Sequence, residues 1–210
     1  MASSPISGIR NPPSLPVMEH YYTIQGEGYN TGQACYFIRL GGCDVGCVWC
    51  DVKESWDAAS FPLSTVEEII RPVIEAGAAR AVITGGEPLM YDLGRLTDAL
   101  HKSSVKVFLE TSGAYPLTGD WDWICVSPKK FKAPLDTVLA RADELKVIIY
   151  NKSDFDWALA HQAKVSAVCK LYLQPEFSAQ EKVMPLIIEF VKQHPEWRIS
   201  LQTHKVMHIP

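Results

Sequence analysis

Three of the chain's six cysteines, Cys43, Cys47 and Cys50, fall within eight residues in the spacing CxxxCxxC. A loop of that length can turn three thiolates toward one centre. A structural zinc wants four closed protein ligands, and no fourth Cys or His lies near this loop; the nearest are Cys35, on a predicted strand, and His20. A cubane 4Fe-4S cluster accepts three thiolates and leaves one iron open to an exogenous ligand. Redox-active or plain cysteines are the third reading. Trp49, between the last two thiols, either packs on a heterocycle beside that centre or is a core residue. Cys35, Cys125 and Cys169 lie in predicted strands, where burial as small hydrophobes accounts for them.

Further chemistry is spread along the chain. Gly85-Gly86-Glu87-Pro88 follows the apolar run AVIT, so two residues without Cβ allow close backbone approach while Glu87 offers a carboxylate to a ligand ammonium. A plain strand-to-helix turn has the same composition. Gln25-Gly26-Glu27-Gly28 interrupts an aromatic stretch; its amide and carboxylate match the donor and acceptor edges of a guanine-like ring, or are solvated groups on a glycine turn. Arg39 stands between Ile38 and Leu40 and needs an anionic partner, either a protein carboxylate or a substrate carboxylate. His204 sits in the terminal QTHK, where a lone His is more often a surface or capping residue than a catalyst.

These residues need elements to hold them. Strand-like runs are ACYFIRLG from Ala34, ARAVIT from Ala79, VKVFLE from Val105, DWICV from Asp122, ELKVIIY from Glu144, CKLYLQ from Cys169 and RISLQ from Arg198. One helix is predicted after Ser64, whose spacing to Glu67 fits a capping box, with Val66, Ile69, Ile70, Val73 and Ile74 on one face. A second starts near Ser178 with Pro185 expected to kink or delay it, and a weaker one carries Leu93, Leu96 and Leu100. Between Glu110 and Asp122, and between Ser127 and Glu144, the apolar period is too poor for full crossover helices. Parallel strands joined by helices gather their functional loops at the strands' carboxyl ends. The runs GGCDVGCVWCD, TGGEP, ETSG, SPKK, QPEF and QTHK all fall there.

Composition narrows the partner. The 210 residues suit a single domain, 1–210, with 1–16 an irregular N-terminal segment. A balance of 20 Lys plus Arg against 24 Asp plus Glu gives a net charge of −4, the wrong sign for general nucleic-acid or anionic-membrane binding. A small-molecule partner is expected. No apolar run reaches a membrane span, and the start MASSPISGIR lacks a signal-peptide core, so a cytoplasmic location is the expectation.

The cysteine spacing with an aromatic between its last two members, and GGEP after the next strand, together resemble the radical S-adenosyl-L-methionine (SAM) superfamily. QGEG, the run GCDVGCVWCD, TGGEP, ETSG, SPK and the terminal LQTHK resemble its 7-carboxy-7-deazaguanine synthase family, from queuosine-precursor biosynthesis. The resemblance implies an α/β, TIM-like incomplete (β/α)6 barrel with a reduced helix set, as a homodimer. It implies a 4Fe-4S cluster on Cys43, Cys47 and Cys50, and SAM against Trp49, Cys50, Asp51, Gly86, Glu87, Ser112, Ser127, Pro128, Lys129 and Gln174. The implied substrate is 6-carboxy-5,6,7,8-tetrahydropterin, met by Ile24, Gln25, Gly26, Glu27, Arg39, Thr84, His204 and the terminal Pro210, so a C-terminal tag is expected to be harmful.

In the implied reaction, reduction of SAM releases a 5′-deoxyadenosyl radical that takes hydrogen from the pterin. The ring contracts, hydrogen returns and ammonia leaves. Flavodoxin or ferredoxin would supply the electron. Many members place Thr or Ser two residues after the third cysteine as a magnesium (Mg2+) ligand, and here that residue is Val52, which has no side-chain oxygen. Weaker magnesium dependence is the expectation. The rivals are a glycyl-radical activating enzyme of the same superfamily and a zinc-stabilised binding module.

Overall fold

A computed structural model describes residues 14–210. In chain order its elements are β1 (Ser14–Ile24), β2 (Ala34–Leu40), β3 (Leu63–Thr65), α1 (Val66–Glu75), β4 (Arg80–Gly85), α2 (Gly94–Lys102), β5 (Lys106–Thr111) and β6 (Trp123–Val126). There follow α3 (Asp136–Leu139), β7 (Glu144–Ile149), α4 (Ser153–Gln162), β8 (Lys170–Pro175), α5 (Gln180–Gln193), β9 (Trp197–Ile199) and α6 (Thr203–Met207). The nine strands form one sheet in the order β3-β1-β2-β4-β5-β6-β7-β8-β9. From β2 onward along that order every pairing is parallel. β1 pairs antiparallel with both β2 and β3.

The sheet does not close, because β3 and β9 are its two edges. The result is an α/β partial barrel of the TIM type. Its wall is carried by β2, β4, β5, β6, β7 and β8, each four to seven residues long, and the three-residue β9 extends it. The β-branched and leucine-rich strands bury side chains on both faces, as covered parallel strands do; Ile83, Val107, Leu109, Val147 and Leu173 are fully enclosed.

Several helix expectations need correction. The capping box belongs to Thr65 and Glu68, one residue beyond the predicted pair, because Ser64 is taken up by pairing with Leu15 in the sheet. α5 begins at Gln180 rather than Ser178, since Phe177–Ala179 form a 3-10 turn. Pro185 lies inside α5, on its exposed side, where the carbonyl it leaves without a donor can meet water. Its opposite face buries Val183 and Ile187. α2 docks Leu96 and Leu100 as its apolar spacing predicts. No helix joins β5 to β6, and only the four-residue α3 precedes β7, so the helix set is reduced where the sequence lacked periodicity. The expected irregular start, 1–16, falls mostly outside the described residues; its last three, Ser14 to Pro16, are strand paired with β3.

Candidate active site

A cavity of about 290 Å³ opens at the carboxyl ends of the parallel strands, the end where such folds carry their chemistry. The loop after β2 brings Cys43, Cys47, Trp49, Cys50 and Asp51; β4 ends on it with Thr84, Gly85 and Gly86; and β5 ends on it with Glu110, Thr111 and Ser112. Ser127 and Lys129 follow β6, Lys146 and Ile148 project from β7, and Gln174 from β8. Ile24, Gln25, Gly26 and Glu27 from the end of β1, Arg39 from β2, and Gln202, His204 and Pro210 beyond β9 complete the lining. Of the residues expected in the site, all but Glu87 and Pro128 reach this wall.

The cysteine loop is tied to the sheet through backbone bonds, from Cys43 N–H to the Trp56 carbonyl at 3.1 Å and from Glu87 N–H to the Gly42 carbonyl at 2.9 Å. Gly86 must lack a side chain, because a Cβ there would lie 2.3 Å from the Gly42 carbonyl oxygen and 2.7 Å from Cys43 Cβ. The glycine lets the GGEP turn lie directly against the cysteine loop. Burial pushes the Cys47 thiol up to about 11 despite Lys129 nearby, and burial likewise raises Cys43; the charges of the neighbouring thiols add to both shifts. Cys43, Cys47 and Cys50 are free thiols, a donor set that a cationic centre satisfies. Three thiols on one cavity wall fit an iron–sulfur cluster that keeps one iron open.

Trp49 is half-buried on the cavity wall rather than in the core, with its ring edge-on to Phe131 at 6.1 Å and the Lys129 ammonium 5.6 Å from its centroid. Lys129 Nζ also donates to the Ser127 carbonyl at 2.9 Å and to Ser127 Oγ at 2.5 Å, and burial lowers its pKa. Cys35, Cys125 and Cys169 are buried in or beside strands, as small hydrophobes.

Glu87 is buried just behind the lining. Its carboxylate faces inward and accepts from Thr111 Oγ1 at 2.5 Å, Ser112 N–H at 2.8 Å, Leu89 N–H at 3.0 Å and Ser112 Oγ. Through these bonds the carboxylate braces the end of β5. Pro128 is buried behind Ser127 and Lys129, away from the lining.

The QGEG loop is built into a polar network. Lys146 Nζ lies 2.7 Å from Glu27 Oε2 and 2.9 Å from Glu110 Oε2. Burial would raise the Glu27 carboxyl, yet the Lys146 ammonium outweighs it and holds Glu27 at about 2. The segment after β9 is latched to the same loop: Gln202 Nε2 donates to Glu27 Oε1 at 2.9 Å, and Thr203 donates its N–H and Oγ1 to the Gly26 carbonyl at 2.9 and 3.0 Å. His204 packs against Gly26, where a Cβ would meet its ring nitrogen at 2.3 Å, and burial lowers its pKa. Arg39 has the protein partner its setting demanded: its Nε donates to Glu19 Oε1 at 2.7 Å, with Glu19 exposed at the neighbouring strand. The guanidinium still lines the cavity.

Residues 37–126 match the Radical SAM superfamily family model. The chain is 54% identical over 196 residues to a 7-carboxy-7-deazaguanine synthase of Flavobacterium psychrophilum, covering 93% of each chain. It is 46% identical to the enzyme of that name from Synechocystis sp., covering 99% of each. The chain belongs to the 7-carboxy-7-deazaguanine synthase family. The crystal structure of QueE from Escherichia coli superposes with a TM-score of 0.81 at 33% identity, over 91% of this chain and 95% of that one.

Within this 7-carboxy-7-deazaguanine synthase fold, the site contains residues that the sequence reading passed over. Lys146, Glu110 and Thr111 are charged or polar, line the cavity and come from strand interiors or ends. Lys146 had a signal of the same kind as Arg39, a cation set between Leu145 and Val147 in an apolar strand. Val52 also lines the cavity and has no side-chain oxygen, while its carbonyl is taken by Ser55 N–H and Oγ, so its side chain does not fit a magnesium ligand.

Proposed function

We propose that the chain converts 6-carboxy-5,6,7,8-tetrahydropterin to 7-carboxy-7-deazaguanine with loss of ammonia, as a radical SAM enzyme of 7-deazapurine (queuosine) biosynthesis. The observation that carries this reading is the meeting, in one cavity, of the CxxxCxxC thiols, the QGEG loop and Arg39. Cys43, Cys47 and Cys50 would hold a 4Fe-4S cluster, and what the cluster and SAM supply when bound is one-electron chemistry ending in hydrogen-atom abstraction.

The chain's own residues bind and orient. Gly86 gives backbone access beside Cys43, and Ser112, Ser127, Lys129 and Gln174, with Trp49 to Asp51, form the wall assigned to SAM. Glu27 and Glu110 offer acceptors to the N–H edge of the pterin, while Arg39 offers its remaining N–H groups to the pterin carboxylate. Ile24, Gln25, Gly26, Thr84, His204 and Pro210 complete the enclosure. Excluding water and fixing the reacting carbon are the protein's main contributions. Substrate equals product plus ammonia, with no net oxidation, so the hydrogen removed is returned.

The finer assignments extend the same reading. The electron comes from a small one-electron carrier such as flavodoxin or ferredoxin, and the enzyme works as a cytoplasmic homodimer. Among the described residues no helix is long and apolar enough to cross a membrane. The deciding experiment is anaerobic incubation of reconstituted protein with reductant, SAM and 6-carboxytetrahydropterin, followed by mass analysis. Ammonia release with ring contraction is expected; SAM cleavage without a pterin-derived product refutes the reading. Brown protein containing iron and sulfide is expected from oxygen-free purification, and stoichiometric zinc without sulfide would overturn the cluster assignment.

A further inference from the structure

Lys146 is buried in β7, with its side chain 5% exposed, between two carboxylates that are 19% and 20% exposed and face the cavity. Three charges share the floor of the cavity, leaving a net charge of −1 there. Without the ammonium, Glu27 and Glu110 would form a like-charge pair, and in such a pair the pKa of one carboxyl is strongly raised, so that it holds its proton to higher pH. A protonated carboxyl turns one acceptor into a donor, which is the wrong partner for an N–H edge. The remaining anchors are uncharged: Gln202 at 2.9 Å and Gln174 on Glu27, and Gln25 at 3.4 Å and the Cys125 thiol on Glu110.

We propose that Lys146 is a positioning residue for substrate recognition, keeping Glu27 and Glu110 both ionised and fixed so that their cavity-facing lone pairs accept from the pterin's N–H edge. The inference rests on the pterin reading above. Other titratable groups face this cluster: Lys129 beyond β6, His204 on α6, Cys35 on β2, Cys125 on β6 and Glu144 on β7. Lys129 spends its protons on Ser127, and burial favours neutral His204, so neither replaces the Lys146 charge.

The test uses the cluster-loaded enzyme with SAM bound, titrated anaerobically with 6-carboxytetrahydropterin from pH 6 to 9. Lys146→Met is expected to weaken pterin binding about 30-fold at pH 7, the size of one charge-assisted hydrogen bond. Its affinity should then recover by up to about tenfold per pH unit as pH rises, because binding now expels one proton. Wild type and Lys146→Arg should stay within about threefold of flat across the same range, and SAM binding should be unchanged in all three. Wild-type affinity in K146M overturns the inference, and so does a weakened affinity with no pH slope, which is what a merely structural lysine would give. Should K146M fail to fold, K146M with E110Q removes the like-charge pair: weak, pH-independent binding is expected and wild-type affinity refutes. Wild-type protein that binds SAM but no pterin instead overturns the proposed function, and this inference with it.

Discussion

Replacing Gly26 with alanine separates the stability of the barrel from the completeness of its pocket. The new Cβ would stand 2.3 Å from His204 Nδ1 and 2.7 Å from His204 Cβ. Rotating the ring relieves the first overlap. It cannot relieve the second, because Cβ moves only with the backbone of α6. That helix must therefore shift, and the two bonds from Thr203 to the Gly26 carbonyl are broken or stretched. At about 1 kcal/mol each they amount to roughly 2 kcal/mol, or about 30-fold in the population of the docked segment. Residues 202–210 are mostly exposed or half-buried, so the loss stays local. Gly26→Ala should thus weaken pterin affinity about 30-fold and speed proteolysis within 202–210, while the thermal midpoint moves little. Protection from protease equal to wild type, together with unchanged affinity, would refute the latch.

Arg39→Ala should raise the apparent KM for the pterin by about 30-fold or more while SAM cleavage continues, and an unchanged KM in steady-state assays counts against its carboxylate role. Glu87→Gln places an amide against donors that cannot all reverse, so urea denaturation should report a loss of about 2–4 kcal/mol; a loss under about 0.5 kcal/mol would mean the brace is dispensable. Burial raises the Glu144 carboxyl from 4.5 to about 7, with Lys146 opposing. A carboxyl raised in the folded state favours folding while protonated, fully below about 4.5, and that contribution is lost as pH rises through about 7. Glu144→Gln should therefore match wild type at pH 5 and exceed it at pH 8 by on the order of 1–3 kcal/mol, and equal differences at the two pH values would sink this account.

What could be read in the chain beforehand was chemistry fixed by residue type at short spacing. The CxxxCxxC loop, the paired glycines and QGEG each present their groups within a few residues, so no distant partner is needed to recognise them. The bonds of Glu87 were not legible for the opposite reason: its partners Thr111 and Ser112 arrive from the end of β5, and nothing near Glu87 announces them. β1 escaped notice because Pro16 and an irregular register between Val17 and Glu19 interrupt its alternation. α4 escaped because two of its buried positions are Asp154 and His161, which break the apolar stripe. Asp154 is held there by Lys130 at 2.6 Å and by the N–H groups of Tyr150 and Asn151, a local exchange of burial for hydrogen bonds that hydrophobic periodicity does not record.

Between β5 and β6 the outer layer is a loop in which Tyr115, Leu117 and Trp121 press on the core in place of a crossover helix. Side chains cover that stretch, and bonds such as Thr118 Oγ1 to the Tyr91 carbonyl at 3.0 Å and Trp121 Nε1 to the Thr118 carbonyl at 2.8 Å hold the covering down in place of a helical ladder of amides. Ser112 and Ser127 flank the same seam and face the cavity. A cofactor touching both would span the seam, joining the ends of two neighbouring strands through one bound molecule.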